Sequence, residues 1–431
     1  MILLAGCWST VVLFPGDDTA TADTDEAEPE PDPWSWGDEL DLDRADEQLE
    51  AAGEILALTT ADLDGDGLPE LVGLVDEGSG RVTVWGDAVT HLAGSTELPL
   101  DGVEDLGDVD GDGLDDLAVD AGTTHLLWPG AETSSSRSVA DLTRTVVGLA
   151  GASRAVGDLD GDGHHDWGFV TDEGWMAVTG DDGTSVLPDD AALWVTDSRG
   201  LVVWEDADDS RLVLVGCADD GSGWGRVEQA LGETLREAAT TWQDTPDGCH
   251  DVLAEGDLSG DGQRDLVVDL EAAGLAIWFS AEGSTAVEPE DAAHTPAILG
   301  DLDGNGLVDL GWYGPGEGPD EALWIVQSDG AWPEVLLTEA ADVSLGRGTQ
   351  AVLGTPLGPA DLDADGHDDL VLVGDDLRVL LGGSWLERVS LDDADLVIDA
   401  AGPALVADLD GDGLDDLVVA SGAQVGIFSG R

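Results

Sequence analysis

Residues 408–419, Asp-Leu-Asp-Gly-Asp-Gly-Leu-Asp-Asp-Leu-Val-Val, recur along the chain in six further intact copies and one decayed copy. Asp408, Asp410 and Asp412 alternate along a tight turn that Gly411 and Gly413 make accessible, so three carboxylates converge on one point. Leu414 stands where a backbone carbonyl would be the next donor, and Asp416 closes the loop. Like charges packed this closely call for a cation. Hard oxygen donors in a flexible loop suit Ca²⁺ better than Mg²⁺, which demands a tighter octahedron, or Zn²⁺, which prefers His and Cys.

Counted from the first Asp, positions one, three, five, seven and nine in the first copy are Asp62, Asp64, Asp66, Leu68 and Glu70. They are Asp108, Asp110, Asp112, Leu114 and Asp116 in the second, and Asp158, Asp160, Asp162, His164 and Asp166 in the third. Asp257, Ser259, Asp261, Gln263 and Asp265 follow, then Asp301, Asp303, Asn305, Leu307 and Asp309, then Asp361, Asp363, Asp365, His367 and Asp369. Ser259 and Asn305 still offer oxygen. His164 and His367 stand at position seven, where the backbone carbonyl would bind and the side chain points outward. An EF-hand would need a bidentate Glu at position twelve, where these copies carry Gly73, Val119, Phe169, Val268, Trp312, Leu372 and Val419. Runs such as Leu417-Val418-Val419 read instead as buried strands.

The first Asp residues lie 46, 50, 99, 44, 60 and 47 residues apart, and the long interval is about twice the others. Midway through it Asp206, Asp208 and Ser210 keep the spacing, but the glycines are gone and Leu214 replaces the closing acid. We read an eighth repeat that has lost its metal. In each repeat an apolar run enters the loop, a strand leaves it, a turn follows, and a further strand ends on an aromatic such as Trp85, Trp128, Trp278, Trp324 or Phe428. A more polar strand, exemplified by Trp385 to Leu391, completes the unit. Four strands per repeat predict an all-β fold, a β-propeller of four-stranded blades over residues 38–431, with eight blades expected and seven as the alternative. The last repeat ends after its third strand, and Glu39–Leu42 parallels Arg388–Leu391, so an amino-terminal strand is expected to close the last blade.

The loops match the D-x-D-x-D-G-x-x-D pattern, and from residue 50 onward the chain resembles the FG-GAP or VCBS repeat family, the calcium-loop propellers also found in integrin α-chains. The Phe-Gly and Gly-Ala-Pro marks that name the family are replaced here by Trp-rich strand ends. The resemblance implies about seven structural Ca²⁺ sites and a binding or adhesion role toward a protein or glycan.

The formal charge is -81, with 95 acidic residues against 14 basic ones, all of them Arg. That field disfavours nucleic acid and anionic membrane surfaces as partners. Leu4-Ala5-Gly6-Cys7 resembles the lipobox of a bacterial lipoprotein with Cys7 as the lipidated residue, although the preceding segment lacks a basic start and a full apolar stretch. Residues 8–37, rich in acid, Pro and Thr, read as a disordered tether. These features imply a monomer lipid-anchored at a bacterial cell envelope, with secretion as the alternative. Cys217 and Cys249 are either one disulfide around the decayed repeat or two buried thiols.

Seven near-equivalent loops are the wrong distribution for a catalytic metal. The His residues form no metal-spaced pair, no nucleophile elbow or phosphate loop occurs, and no Lys is available for catalysis. The expectation is therefore a non-enzymatic calcium propeller. The alternative is a propeller enzyme or sensor with its site in the central channel, of polysaccharide lyase or dehydrogenase type. Most of the 16 Trp residues recur at one strand position and read as core. Trp34, Trp36, Trp224, Trp242 and Trp332 lie off that register and are candidates for a binding face.

Overall fold

The computed structural model describes residues 39–430 apart from 41, 87, 143–144, 148–150, 159–161, 172–173, 180–192, 207–210, 219, 228–232, 245–248, 250, 261–264, 271–273, 280–282, 288–295, 316–320, 330–340, 351, 384–389 and 401. Cys7, the tether, and Trp34, Trp36 and Trp332 lie outside the described residues. Among the described residues no helix is long and apolar enough to cross a membrane.

The loop signature sets the local fold. In the second repeat Gly102–Asp105 enters the loop and Leu117–Ala121 leaves it. Gly122, at φ +66°, turns the chain into Thr124–Trp128, and Thr145–Val147 forms the outer edge. All three pairings are antiparallel. The described strands make eight such sheets of four or five strands. The first runs from Glu54–Ala61 to Thr90–Ala93 and the third from Gly151–Ala155 to Leu193–Thr196. The fourth spans Ser198–Asp206 to Thr241–Asp244, the fifth Asp251–Gly256 to Gly283–Val287, and the sixth Pro296–Gly300 to Val343–Gly346. The seventh begins at Thr355–Pro356 and the eighth at Ala404–Ala407.

Apolar side chains fill the space between consecutive sheets. Leu74 and Val84 of the first meet Val119 and Trp128 of the second, and Leu345 of the sixth meets Leu372 of the seventh. Val418 and Ile427 of the eighth pack with Ile55 and Trp85 of the first, so the order closes into a ring. This is a β-propeller, in which radially repeated small sheets bury their faces against one another. Three of the strand-end aromatics are core, since Trp85, Trp128 and Phe428 are buried; Trp324 is half-buried, and the Trp278 side chain lies outside the described residues. The Trp85 ring lies so close over Gly73 that a Cβ there would meet it at 2.7 Å.

The chain segments that pass between sheets correct two expectations. The outer strand of the eighth sheet is Glu47–Glu50, paired antiparallel with Gln424–Ile427, rather than Glu39–Leu42. Glu39–Leu40 instead adds a short parallel strand to Leu396–Ile398, the outer strand of the seventh sheet. Leu396–Ile398 itself takes the place expected for Trp385–Leu391. The same clasp recurs: Arg137–Ser138 adds to Leu92–Ala93, Glu233–Thr234 to Val195–Thr196, and Ser390 bridges Gly346. A single helical turn follows each time, and its first residue, Leu42, Val139, Leu235 or Leu391, is buried. Each clasp ties the chain to the preceding sheet before it enters the outer strand of its own.

Candidate metal centre

Each loop is organised by its first carboxylate. Asp108 Oδ1 accepts from the Gly111 and Asp112 N–H groups at 2.6 and 3.1 Å, and its Oδ2 accepts from Gly113 N–H at 2.9 Å. Asp62, Asp301, Asp361 and Asp408 accept in the same way from Gly67, Gly306, Gly366 and Gly413. These position-six glycines sit at φ +84° to +89°, where a side chain would be strained. Position four is also left-handed, and in the loop from Asp361 it is Ala364, at φ +61°.

The folded loops bring the expected acids together. Asp62, Asp64 and Asp66 converge, as do Asp361, Asp363 and Asp365. Asp108 and Asp110 converge with Asp116, Asp301 and Asp303 with Asp309, and Asp408 and Asp410 with Asp416. In each group one oxygen per residue lies within 4.8 Å of the others. Position five also shapes the turn: Asp112, Asn305 and Asp412 accept from the N–H groups of Leu114, Leu307 and Leu414 at 3.0, 2.8 and 2.9 Å. An all-oxygen donor set of this kind fits a hard divalent cation of the Ca²⁺ class. Asp160 in the third loop, and Asp261 and Gln263 in the fourth, lie outside the described residues. Asp158 still accepts from Gly163 N–H at 2.7 Å, and Asp265 from Ser259 N–H at 2.9 Å.

Position nine does more than the sequence suggested. Asp116 is fully buried; its Oδ2 accepts from Val109 and Asp110 N–H at 2.9 and 3.1 Å, and its Oδ1 from Gly130 N–H at 2.9 Å. Asp309, Asp369 and Asp416 repeat the arrangement, accepting from Leu302 and Ser328, Leu362 and Gly382, and Leu409 and Gly430. The carboxylate therefore staples the loop to the end of the strand that returns beside it. Burial pushes Glu70, Asp116, Asp309 and Asp369 up to about 7, and Asp416 to about 6.

Positions seven and eight join neighbouring loops, a feature the single-loop pattern does not carry. Leu114 covers Gly65 of the preceding loop, where an added Cβ would lie 2.7 Å from Cδ2, and Leu68 covers Gly411 at 2.6 Å. His164 and His367, expected to point outward, cover Gly111 and Gly304 instead. At position eight, Asp115 N–H donates to Asp62 O at 2.9 Å while Asp62 N–H donates to Asp115 Oδ2 at 2.8 Å. Asp368 and Asp301 form the same reciprocal pair at 2.8 and 2.6 Å.

Among the described residues the fourth sheet shows no such loop: Asp206 pairs directly with Arg211, and the remaining residues of the decayed copy, Asp208 and Ser210, lie outside the described residues. Its strand Arg211–Ala218 holds Cys217, whose sulfur is bonded to that of Cys249 with the Cα atoms 5.4 Å apart. Trp224 is buried, which removes it from a binding face, because its strand is the third of this sheet and faces the core. Trp242 is half-buried, with its indole N–H on Asp244 at 2.9 Å and the Arg236 guanidinium 4.9 Å above its ring.

Asp120, His125 and Ser153 form a constellation that sequence reasoning missed, since strand pairing joins Asp120 to His125 and the packing of the third sheet on the second brings Ser153 to them. Asp120 Oδ1 accepts from Ser153 Oγ at 2.6 Å and lies 2.7 Å from His125 Nδ1. It is a hydrolase triad by residue type only. Ser153 is 1% exposed, and the His125 Nε2 that would have to face a nucleophile is buried beside Phe169. The three residues act as a polar clamp between the second and third sheets.

The fold and loops together define a propeller with acidic, cation-type loops between the first and second strands of its sheets. No family model and no curated protein matches the chain. Its fold is similar to that of the exotype rhamnogalacturonan lyase YesX, at TM-score 0.54 and 13% identity over 90% of this chain and 75% of that one. The rhamnogalacturonan lyase YesW aligns at TM-score 0.49 and 14% identity, over 89% of this chain and 74% of that one. BBS1N, solved in complex with ARL6DN, aligns at TM-score 0.41 and 13% identity, over 88% and 96%. The expectation of a non-enzyme is corrected by the first of these. It rested on the missing Lys and the scattered His, yet the fold is one that an enzyme uses, so those absences do not exclude catalysis.

Proposed function

We propose that the chain is a calcium-clamped, eight-bladed propeller acting on an acidic polysaccharide, with lyase chemistry as its reaction class. The observation that carries the reading is the set of loops in which carboxylate oxygens converge within 4.8 Å, because cations held there supply the positive charge that the side chains lack. The formal charge of -81 stays strongly negative even with every loop filled, so a uronic-acid chain would be held by direct contact with a loop cation rather than by the net field of the protein. Ca²⁺ held by the loop acids would offer a contact for a substrate carboxylate, its role being to bind and orient the chain. The likeness to a rhamnogalacturonan lyase supports this class over the dehydrogenase alternative. The blade count follows from treating each of the eight sheets as one blade. Attachment at a cell envelope through Cys7 belongs to the same proposal, and intact mass of the membrane fraction tests it: an unmodified chain would refute the anchor.

The decisive experiment incubates the full chain with rhamnogalacturonan and polygalacturonate, with Ca²⁺ or with EGTA, and follows the ultraviolet absorbance of unsaturated products. A rise with Ca²⁺ alone supports the proposal. Calcium binding with neither product formation nor polysaccharide retention on native affinity gels would overturn it.

A further inference from the structure

We propose that the loops are coupled into one arc through their position-one and position-eight residues, so that a cation bound in one loop raises the affinity of the next. This rests on the calcium reading above and goes beyond it. Each junction links a residue whose side chain would be a ligand in one loop to the residue between the seventh and ninth ligands of its neighbour. Asp62 and Asp115 exchange two hydrogen bonds, as do Asp301 and Asp368. His165 N–H donates to Asp108 O at 2.8 Å, and Val308 N–H to Asp257 O at 3.3 Å. Asp361 N–H donates to Asp415 Oδ2 at 3.3 Å. Loop order is therefore shared, because the position-eight N–H that bonds to a position-one carbonyl lies in the same peptide unit as the position-seven carbonyl, a donor of its own loop.

Two places break the pattern. Between the last and first loops position eight is Pro69, which has no N–H to give, and the contact there is Leu68 over Gly411. Between the third and fifth sheets the direct pairing of Asp206 with Arg211 leaves no nine-residue loop at the described residues. The arc accordingly runs from the fifth sheet round to the third, with its weakest link at the point where the ring closes.

The test uses Asp115→Ala, which removes the acceptor for Asp62 N–H without touching a ligand, and Asp115→Asn, which keeps an acceptor. Calcium titration by calorimetry on the full chain gives stoichiometry and cooperativity, and hydrogen exchange of the metal-free chain reports loop order directly. The expected result is a Hill coefficient above 1 for the parent. Asp115→Ala should lower affinity at the neighbouring sites by about fivefold, the low end of allosteric coupling, and Asp115→Asn should restore most of it. In the metal-free chain Asp115→Ala should speed exchange in both 62–70 and 108–116 while leaving 361–369 unchanged. Several equivalents bound independently, with the variant unaltered, would overturn the coupling and leave the calcium reading standing. No calcium bound at all would overturn the calcium reading, and faster exchange confined to 108–116 would overturn the coupling on its own.

Discussion

Removal of Asp116 separates the two jobs that the loop acids perform. In the folded chain its carboxylate accepts three backbone N–H groups, from Val109, Asp110 and Gly130, at 2.9 to 3.1 Å. Asp116→Ala leaves these donors without their acceptor in a site with no solvent exposure. At about 1 kcal/mol or more for each buried group left unsatisfied, the cost is about 3 kcal/mol or more before any cation is considered. Asp110→Ala is the contrast. Asp110 accepts from the exposed Asp112 N–H at 3.3 Å, so its loss in the absence of metal costs less than about 1 kcal/mol. With calcium at a hundredfold its dissociation constant, an intact site contributes about 2.7 kcal/mol by mass action, and both variants forfeit it. Thermal melts in EGTA and in saturating Ca²⁺ check the pair. Asp116→Ala should lower the midpoint in both conditions, Asp110→Ala in calcium only. If Asp116→Ala melts with the parent in EGTA, the position-nine acid is a ligand and nothing more, and the staple is wrong.

The same geometry makes the loops sensitive to pH. Burial raises the position-nine acids to about 7, or about 6 for Asp416, so without metal the folded chain holds protons that the unfolded chain has released. Their contribution to metal-free stability is greatest below the ordinary carboxylate range near pH 4 and is lost as pH rises to about 7. Calcium should cancel this loss, so the calcium-induced rise in melting temperature should be larger at about pH 8 than at about pH 5; a rise independent of pH would refute the assignment. Ala364 holds a left-handed backbone at φ +61°, at a cost of roughly 1–2 kcal/mol that Gly escapes. Part of that gain is offset by the freer unfolded chain, so Ala364→Gly should stabilise the chain by up to about 1 kcal/mol, measured as a higher denaturation midpoint in calcium.

How much of this was legible depended on whether a signal lay within one repeat or between two. The loop, its glycines and the strand it enters are local, so Asp408 to Val419 announce them without reference to the rest of the chain. The strand-end aromatics were legible for the same reason, since Trp128 and Phe428 recur at one register position and fall into the core. Contacts between repeats left only faint marks. Leu42 and Leu391 end the segments expected as outer strands, Glu39–Leu42 and Trp385–Leu391, yet each opens a helical turn after a clasp on the preceding sheet. A short run with an apolar residue at its start cannot distinguish the two, because the buried leucine is required in both.

The fourth sheet shows what the loops add and what they do not. It folds as four strands, Ser198–Asp206 through Thr241–Asp244, with a hairpin where its neighbours place a nine-residue loop. A metal is thus unnecessary for a sheet of this ring to form, provided that some other constraint holds it. Here the Cys217–Cys249 bond joins the second strand of the sheet to the segment that leads into the fifth. A covalent tie of this kind restricts the unfolded chain whatever the calcium concentration, whereas the part of a loop's contribution that comes from its cation is present only when the cation is bound. On the proposed calcium reading, the stability of the ring should respond to calcium around most of its circumference and not at this point. Depletion of the cation should therefore loosen the sheets that carry loops before it reaches the fourth. Hydrogen exchange in EGTA checks the order, and protection lost first in the strands Arg211–Ala218 and Gly223–Val227 would show that the disulfide does not hold this sheet.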